Sequence, residues 1–283
     1  MNNKFGEKFK EIRKQKGISL DTASRDITSK SSLYYWEKGQ ANMSFEKVIA
    51  MLDRMRIKPS EFVTDSLSDN LDFKEISFAY YHDNDQRLRE LATVYLKSSQ
   101  QNPYDRTQLL RAAIACNLLK ADTEINLFTP RDLSRLEELL SEIKNWYYED
   151  LFNFGNTLFL LPGKRVFGLA HTLLVKYQKN DNDYQWQHAA VATLITAAFS
   201  LLYTDFYYAQ KLYSKLKALK LSDNFAYEKI RLKFLDEVFL FIRTKDDSRI
   251  KGSFFPILDY LNFPQLKLSI QNTFSQLKQL YNS

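Results

Sequence analysis

An all-α fold is what this sequence predicts, and three observations carry that reading. Glycine and proline are scarce, seven and six among 283 residues, and a sheet-rich chain needs more tight turns than they allow. Apolar residues recur at spacings of three and four, as at Leu133, Leu136, Leu140, Ile143 and Tyr147, which is the period of one helix face. Polar breaks separate such runs: QQNPYD, ADTEINLFTP, KNDND, LKLSDN and NFP. With 45% hydrophobic and 26% charged residues, the composition is globular and not that of a disordered chain.

The elements can be justified in order. Phe5, Phe9, Ile12 and Arg13 mark one face of a first helix, which Gly17 ends as a C′ glycine. Ser19 is a good N-cap for a second helix running to Ile27. Ser29 caps a third, with Leu33 and Trp36 as inward anchors and Gly39 as its stop. Ser44 opens a fourth, carrying Val48, Leu52 and Met55, and Pro59 suits the first turn of a short fifth. Short helices with a tight link between the second and third describe a helix-turn-helix domain, residues 1–65. The polar, turn-rich stretch TDSLSDNLD at 64–72 signals a linker, placed at 66–73.

Residues 74–283 change character, to long amphipathic helices in pairs. Phe206, Ala209, Tyr213 and Leu216 keep helical spacing, as do Ile230, Phe234, Val238 and Phe241. Each pair with its links spans roughly 35–45 residues, the period of helix-hairpin repeats of the tetratricopeptide (TPR-like) kind. Such units cannot bury their apolar faces alone, so a stacked superhelix with a concave face is expected.

Charge sharpens the contrast between the two parts. The chain carries a net charge of +6, and residues 1–66 hold +4 of it, from 13 Lys/Arg against 9 Asp/Glu. That asymmetry points the N-terminal part toward an anionic partner. In a helix-turn-helix the second of the paired helices enters the major groove, its N-terminal residues at the base edges. The run SKSSLYYWEKGQAN supplies what such a helix needs. Ser29, Lys30, Ser31 and Ser32 come first, Tyr34 and Tyr35 stay on the outer side, and Lys38, Gln40 and Asn42 follow where phosphates are met. Lysine can donate to guanine acceptors and serine can serve either base type. The bland reading of the same run is a surface helix that binds nothing.

Catalytic and metal chemistry finds no footing. The histidines, His82, His171 and His188, are widely spaced, with no His-Glu-x-x-His and no cysteine pair. Gly163-Lys164 lacks the rest of a phosphate-binding loop, DNDQR and DNDYQ lack the glycine of a calcium loop, and Ser214-x-x-Lys217 has no companion motif. The lone Cys116, in the apolar run RAAIACNLLK, reads as a small buried hydrophobe. No enzyme, metal or cofactor is expected. With no apolar run long enough for a membrane helix and no signal-peptide core at the start, a cytoplasmic location is expected.

FGEKFKEIRKQKGISLDTASRDI followed by SKSSLYYWEKG resembles the phage-repressor-like helix-turn-helix. The resemblance implies that Arg13, on the first helix, pairs with Glu37, the glutamate before the final glycine, to lock the first helix against the third; a phosphate contact is the second reading of Arg13. The chain departs from that pattern at Ala23-Ser24, where relatives carry Leu-Ala. SKSSLYYWEKGQANMSFEKVIAMLDRMRIKPSEF and, at 147–159, YYEDLFNFGNTLF are similar to the Rgg/MutR family of Gram-positive transcriptional regulators. For this chain that implies a homodimer with paired DNA-binding domains, and a TPR-like domain that in several members binds a short hydrophobic signalling peptide.

A face that grips an extended peptide needs amides to pair with its backbone and aromatic walls for its side chains. Asn153 and Asn156, three apart, share a helix face. Tyr184, Trp186, Tyr227 and Arg231 complete the expected set, the arginine to hold a terminal carboxylate. Core packing and helix capping are the bland alternatives, for Trp186 and Asn156 especially. A regulator sensing a small apolar metabolite and a repeat-domain interaction scaffold are the competing functions. The C-terminal helices ending in LSIQNTFSQLKQLYN are the candidate dimer contact.

Overall fold

The computed structural model describes residues 4–63, 71–179 and 183–282. They fall into two compact units, Met1–Leu71 and Asp72–Ser283, and contain no strand among the described residues. Most of the expected linker, 66–73, lies outside the described residues.

The first unit has α1 (Lys4–Gln15), α2 (Leu20–Ser24), α3 (Lys30–Glu37), α4 (Phe45–Arg54) and α5 (Pro59–Val63). Gly17 and Gly39 take φ of 67° and 72°, the left-handed conformation that lets the chain turn out of α1 and α3 without a Cβ clash. Ser19 Oγ accepts from Thr22 N and Ser29 Oγ from Ser32 N, each at 3.0 Å, satisfying amides that the first turn leaves free. Ser44 has the extended backbone of an N-cap but no side-chain cap bond. The second helix stops at Ser24, short of the expected Ile27, because Asp26 enters the left-handed region at φ 59°. The core is small: Phe9, Leu33, Met51 and Leu52 are fully enclosed, and the Phe9 ring lies 5.1 Å from Trp36. Ala23 and Ser24 are both buried, so the small residues at the departure from the repressor pattern pack inside. Arg54 closes that corner by donating from Nη1 to the carbonyls of Thr22 (3.2 Å) and Ala23 (3.5 Å), and to that of Arg25.

The second unit holds α6 (Leu71–Tyr81), α7 (Asp85–Gln101), α8 (Arg106–Thr123), α9 (Pro130–Ser141), α10 (Tyr148–Gly155), α11 (Gly163–Tyr177), α12 (Tyr184–Thr204), α13 (Phe206–Lys217), α14 (Ala226–Thr244), α15 (Phe255–Tyr260) and α16 (Pro264–Asn282), with a 3₁₀ turn at Asp223–Phe225 and a π turn at Ile250–Phe254. Consecutive helices pair: α7 with α8, α11 with α12, α12 with α13, α15 with α16. The starts are chemically marked. Asn84, Asp105, Asp183 and Asp205 each accept a backbone N–H three residues on, and Thr129 with Asp132 forms a capping box. Asp205 alone separates α12 from α13, ending one and capping the other.

One expectation fails here. Ile143 and Tyr147 do not continue the helix of Leu133, Leu136 and Leu140, since α9 ends at Ser141. Trp146 is buried in the link, while Tyr147 is exposed and caps α10. The helical spacing ran on by coincidence across a helix end.

The sequence of α12, YQWQHAAVATLITAAFSLLYT, is apolar on nearly every side, as a helix surrounded by others must be. Ala190, Ala197 and Ala198 are fully buried and let α10, α11, α13 and α14 approach closely. Cys116 is buried in α8. Burial, with the nearby Asp132 charge second, pushes its thiol up to about 12, so it stays protonated and unreactive at neutral pH.

Candidate nucleic-acid interface and ligand face

The α3 helix divides its residues cleanly. Leu33, Trp36 and Glu37 are buried, whereas Ser29, Lys30, Ser31, Ser32, Tyr34 and Tyr35, and Lys38, Gln40 and Asn42 after it, are all exposed. Tyr34 and Tyr35, 40% and 49% exposed, stand edge to face at 5.4 Å, and Lys38 Nζ sits 4.5 Å above the Tyr34 ring, a cation held by an aromatic face. The Ser29 and Ser32 hydroxyls lie 2.8 Å apart, so part of their hydrogen-bonding capacity is already engaged at the cap. Asn42 differs from the rest: it lines an apolar cleft of about 260 Å³ with Met43, Phe45 and Phe62.

Beneath this surface lies a buried ion pair. Arg13 Nε meets Glu37 Oε1 at 2.6 Å and Nη2 meets Oε2 at 2.8 Å; Nη1 donates to the Ile18 carbonyl at 2.7 Å. Arg13 and Glu37 are only 6% and 5% exposed. The fork geometry of guanidinium and carboxylate fixes both distance and plane, tying α3 to α1. The second reading of Arg13, a phosphate contact, is therefore corrected: the guanidinium is enclosed and its donors point inward. Arg54, which fastens the end of α2, escaped sequence reading because its acceptors lie 29 to 32 residues away and leave no local signal.

In the second unit, Tyr184, His188, Ala192 and Thr196 follow at four-residue steps along α12, a stripe turned to α14. His188 Nδ1 and Glu228 Oε1 share a hydrogen bond at 2.9 Å, and the His188 ring stacks on Phe225 at 4.1 Å. Tyr184 meets His188 edge-on at 4.3 Å and donates its hydroxyl to the Asn224 carbonyl at 3.4 Å. Arg231 donates from Nη2 to Thr196 Oγ1 at 3.0 Å and from Nη1 to the Ala192 carbonyl at 3.5 Å. Burial pulls the Arg231 pKa below the usual arginine range, with the charges of Tyr227 and Glu228 opposing. His188 Nε2 and Glu228 Oε2 are buried with no hydrogen-bond partner among the described residues. His188, Phe225 and Glu228 were missed from sequence; the four-residue step from Tyr184 to His188 was the available signal.

Of the expected peptide-contacting residues, the structure gathers Tyr184, Tyr227 and Arg231 at this face and removes one. Trp186 is 3% exposed and donates its indole N–H to the Trp146 carbonyl at 2.9 Å. Residues two apart on a helix point about 200° away from each other, so Tyr184 and Trp186 cannot serve one surface. The two asparagines also part. Asn153 is buried on α10, and Asn156 lies beyond the helix end, its amide donating to the Phe152 carbonyl at 2.8 Å. It closes its own helix, not a neighbouring one.

A third surface is apolar. Around the turn between α15 and α16, Ile257, Tyr260, Leu261, Phe263 and Leu268 are all exposed, Tyr260 by 90%. Monomeric proteins rarely leave such large side chains clustered in water.

A helix-turn-helix family model matches residues 9–62, within the first unit. The model described as the C-terminal domain of the HTH-type transcriptional regulator Rgg matches residues 91–272, and the chain belongs to this family of transcriptional regulators. Solved structures agree in fold. The Streptococcus dysgalactiae SHP pheromone receptor Rgg2 superposes with a TM-score of 0.73 at 17% identity, covering 96% of this chain and 99% of that one. The PrgX/cCF10 complex gives 0.68 at 17% identity, covering 97% and 92%. No curated protein matches the sequence. Among the described residues no helix is long and apolar enough to cross a membrane.

Proposed function

We propose that this chain is a cytoplasmic, homodimeric regulator whose first unit binds a double-stranded DNA operator and whose second unit binds a short hydrophobic signalling peptide. The observation that carries the DNA half is α3: it buries Leu33, Trp36 and Glu37 and leaves Lys30, Ser31, Ser32, Tyr34 and Tyr35 outside. Ser29, Lys38 and Gln40 flank them as phosphate contacts, and Asn42 is the outlying member. The peptide half is supported by the pheromone receptors among the similar structures and by the face of Tyr184, Tyr227 and Arg231. There the aromatic rings offer apolar area, and a desolvated guanidinium with donors left over favours a terminal carboxylate. Asn153 on α10, which packs against the same α12, and Asn156 just past its end are the backbone-pairing candidates. The exposed apolar turn between α15 and α16 is the candidate dimer surface, and a dimer would set two heads on half-sites about 34–36 Å apart.

Fluorescence anisotropy with duplexes selected from a random library tests the first half: affinity should fall steeply as salt rises, and a flat dependence overturns it. Native mass spectrometry of the purified complex tests the second. A bound apolar peptide with a free carboxyl terminus should be retained, and amidating that terminus should weaken it. A bound protein or a lipid-like small molecule in its place would overturn the peptide reading.

A further inference from the structure

The α13 and α14 helices splay apart into a groove of about 870 Å³ that the functions above do not use. On α14, Glu228 and Arg231 lie on the side facing α12. At 100° per residue, Lys233, Glu237 and Leu240 occupy the opposite side. Phe239, Ile242 and Arg243 turn back toward the first side but lie at least two turns further along α14 than Arg231, so the groove shares no residue with the ligand face, although both rest on one helix.

Its walls are aromatic and apolar. Tyr213 stacks on Phe239 at 4.2 Å, Phe206 lies 5.9 Å from Phe239, and Leu240 joins them. Its rim is cationic: Lys217, Lys233, Arg243 and Arg249. The groove's carboxylates are already engaged. Asp236 accepts from the Tyr213 hydroxyl at 2.6 Å, and Glu237 is held by Arg249 at 2.9 Å and Lys233 at 3.1 Å. Arg249, through its hydrogen bonds, keeps the Glu237 carboxyl below the usual range, so those charges persist at neutral pH. The surroundings add to the excess, since residues 206–222 carry Lys211, Lys215, Lys217 and Lys220 and no Asp or Glu. The cations also stand far apart. Lys233 and Arg243 are ten residues apart on α14, about 15 Å along its axis. One phosphate or carboxylate cannot reach both; a helix with acidic residues about three turns apart can. An added helix laid between two others repeats the packing by which this unit is built.

We infer that this groove docks an acidic amphipathic helix of a partner protein, apolar side chains on Tyr213, Phe239 and Leu240, and carboxylates on Lys217 and Arg243. The inference does not depend on the peptide reading.

The test uses the full chain and a fluorescein-labelled synthetic helix with leucines on one face and glutamates flanking them, followed by anisotropy. A second helix has glutamine for every glutamate. The glutamate helix should bind at least tenfold tighter than the glutamine one. The charge reversal Lys217→Glu with Arg243→Glu should abolish that preference while leaving the melting curve and DNA affinity unchanged. A photo-reactive leucine on the helix should cross-link to the α13–α14 segment. Equal binding of the two helices, or equal binding to the variant, overturns the inference. So does competition by a nucleoside triphosphate that proves to bind there instead, or a drop in oligomer mass in the variant, which would make the occupant a second copy of this chain.

Discussion

The two units use polar side chains in different ways. In the first, scaffold and surface are assigned to different residues: Arg13 and Glu37 lock α1 to α3 from inside, while Lys30, Tyr34 and Tyr35 point outward and hold nothing in the core. In the second, residues expected at a ligand face hold the scaffold. Arg231 braces α12 through Thr196, Asn156 ends its own helix, and Trp186 joins the core through Trp146. Where the jobs are divided, the surface can change without disturbing the fold. Where one residue is asked to do both, a change of ligand preference would carry a change of stability.

The largest break in that contrast should come from Glu37→Ala. It strands the Arg13 guanidinium in a site only 6% exposed, and removing one partner of a buried pair costs about 3–5 kcal/mol. Urea denaturation of the first unit should lose most of its stability, and DNA affinity should fall with it. The double change Arg13→Met, Glu37→Leu should recover much of the loss, because two apolar residues need no desolvated charge. A loss below about 1 kcal/mol, the range of an exposed pair, would show that the pair is not the lock.

Next in size is Trp186→Phe. It removes the bond to the Trp146 carbonyl and leaves a buried acceptor unpaired, a cost of about 1–3 kcal/mol to the second unit's denaturation midpoint. A stable variant with altered ligand affinity would return Trp186 to the binding face. Smaller again is Tyr227→Ala at a half-exposed position. Stability should stay within about 0.5 kcal/mol, while affinity for an apolar peptide, read by calorimetry, should fall several-fold. That outcome would make Tyr227 the residue of this unit whose job is not shared.

How much of this was legible follows the same division. Serine caps, stop glycines and the inward Leu33 and Trp36 are local signals, readable within a few residues. The family resemblance located Arg13 and Glu37 although 24 positions separate them. In the second unit the helix breaks were readable as polar clusters, but the roles of Asn153, Asn156 and Trp186 were not. Whether a polar residue faces a ligand or a neighbouring helix depends on packing between elements some 40 residues apart, as Trp186 with Trp146 and His188 with Glu228 show. Periodicity carries no record of that. It also ran falsely through Ile143 to Tyr147, since a helix end marked by neither glycine nor proline leaves the spacing intact.

The smallest effect on the fold, and the sharpest on function, belongs to Lys30→Ala. Lys30 is exposed at the first position of α3, so stability should move by no more than about 0.5 kcal/mol. Its role on DNA can be read from two slopes. If Lys30 meets a phosphate, affinity falls equally for all duplexes, and the logarithmic salt slope flattens by about 0.9. If it meets a base edge, the salt slope is kept while one position of the selected site loses about 1–3 kcal/mol of preference. Its place at the helix start, exposed and ahead of Ser31 and Ser32, favours the second outcome. No change in either slope would separate α3 from the duplex, and the division of labour in the first unit would then have to be sought on another helix.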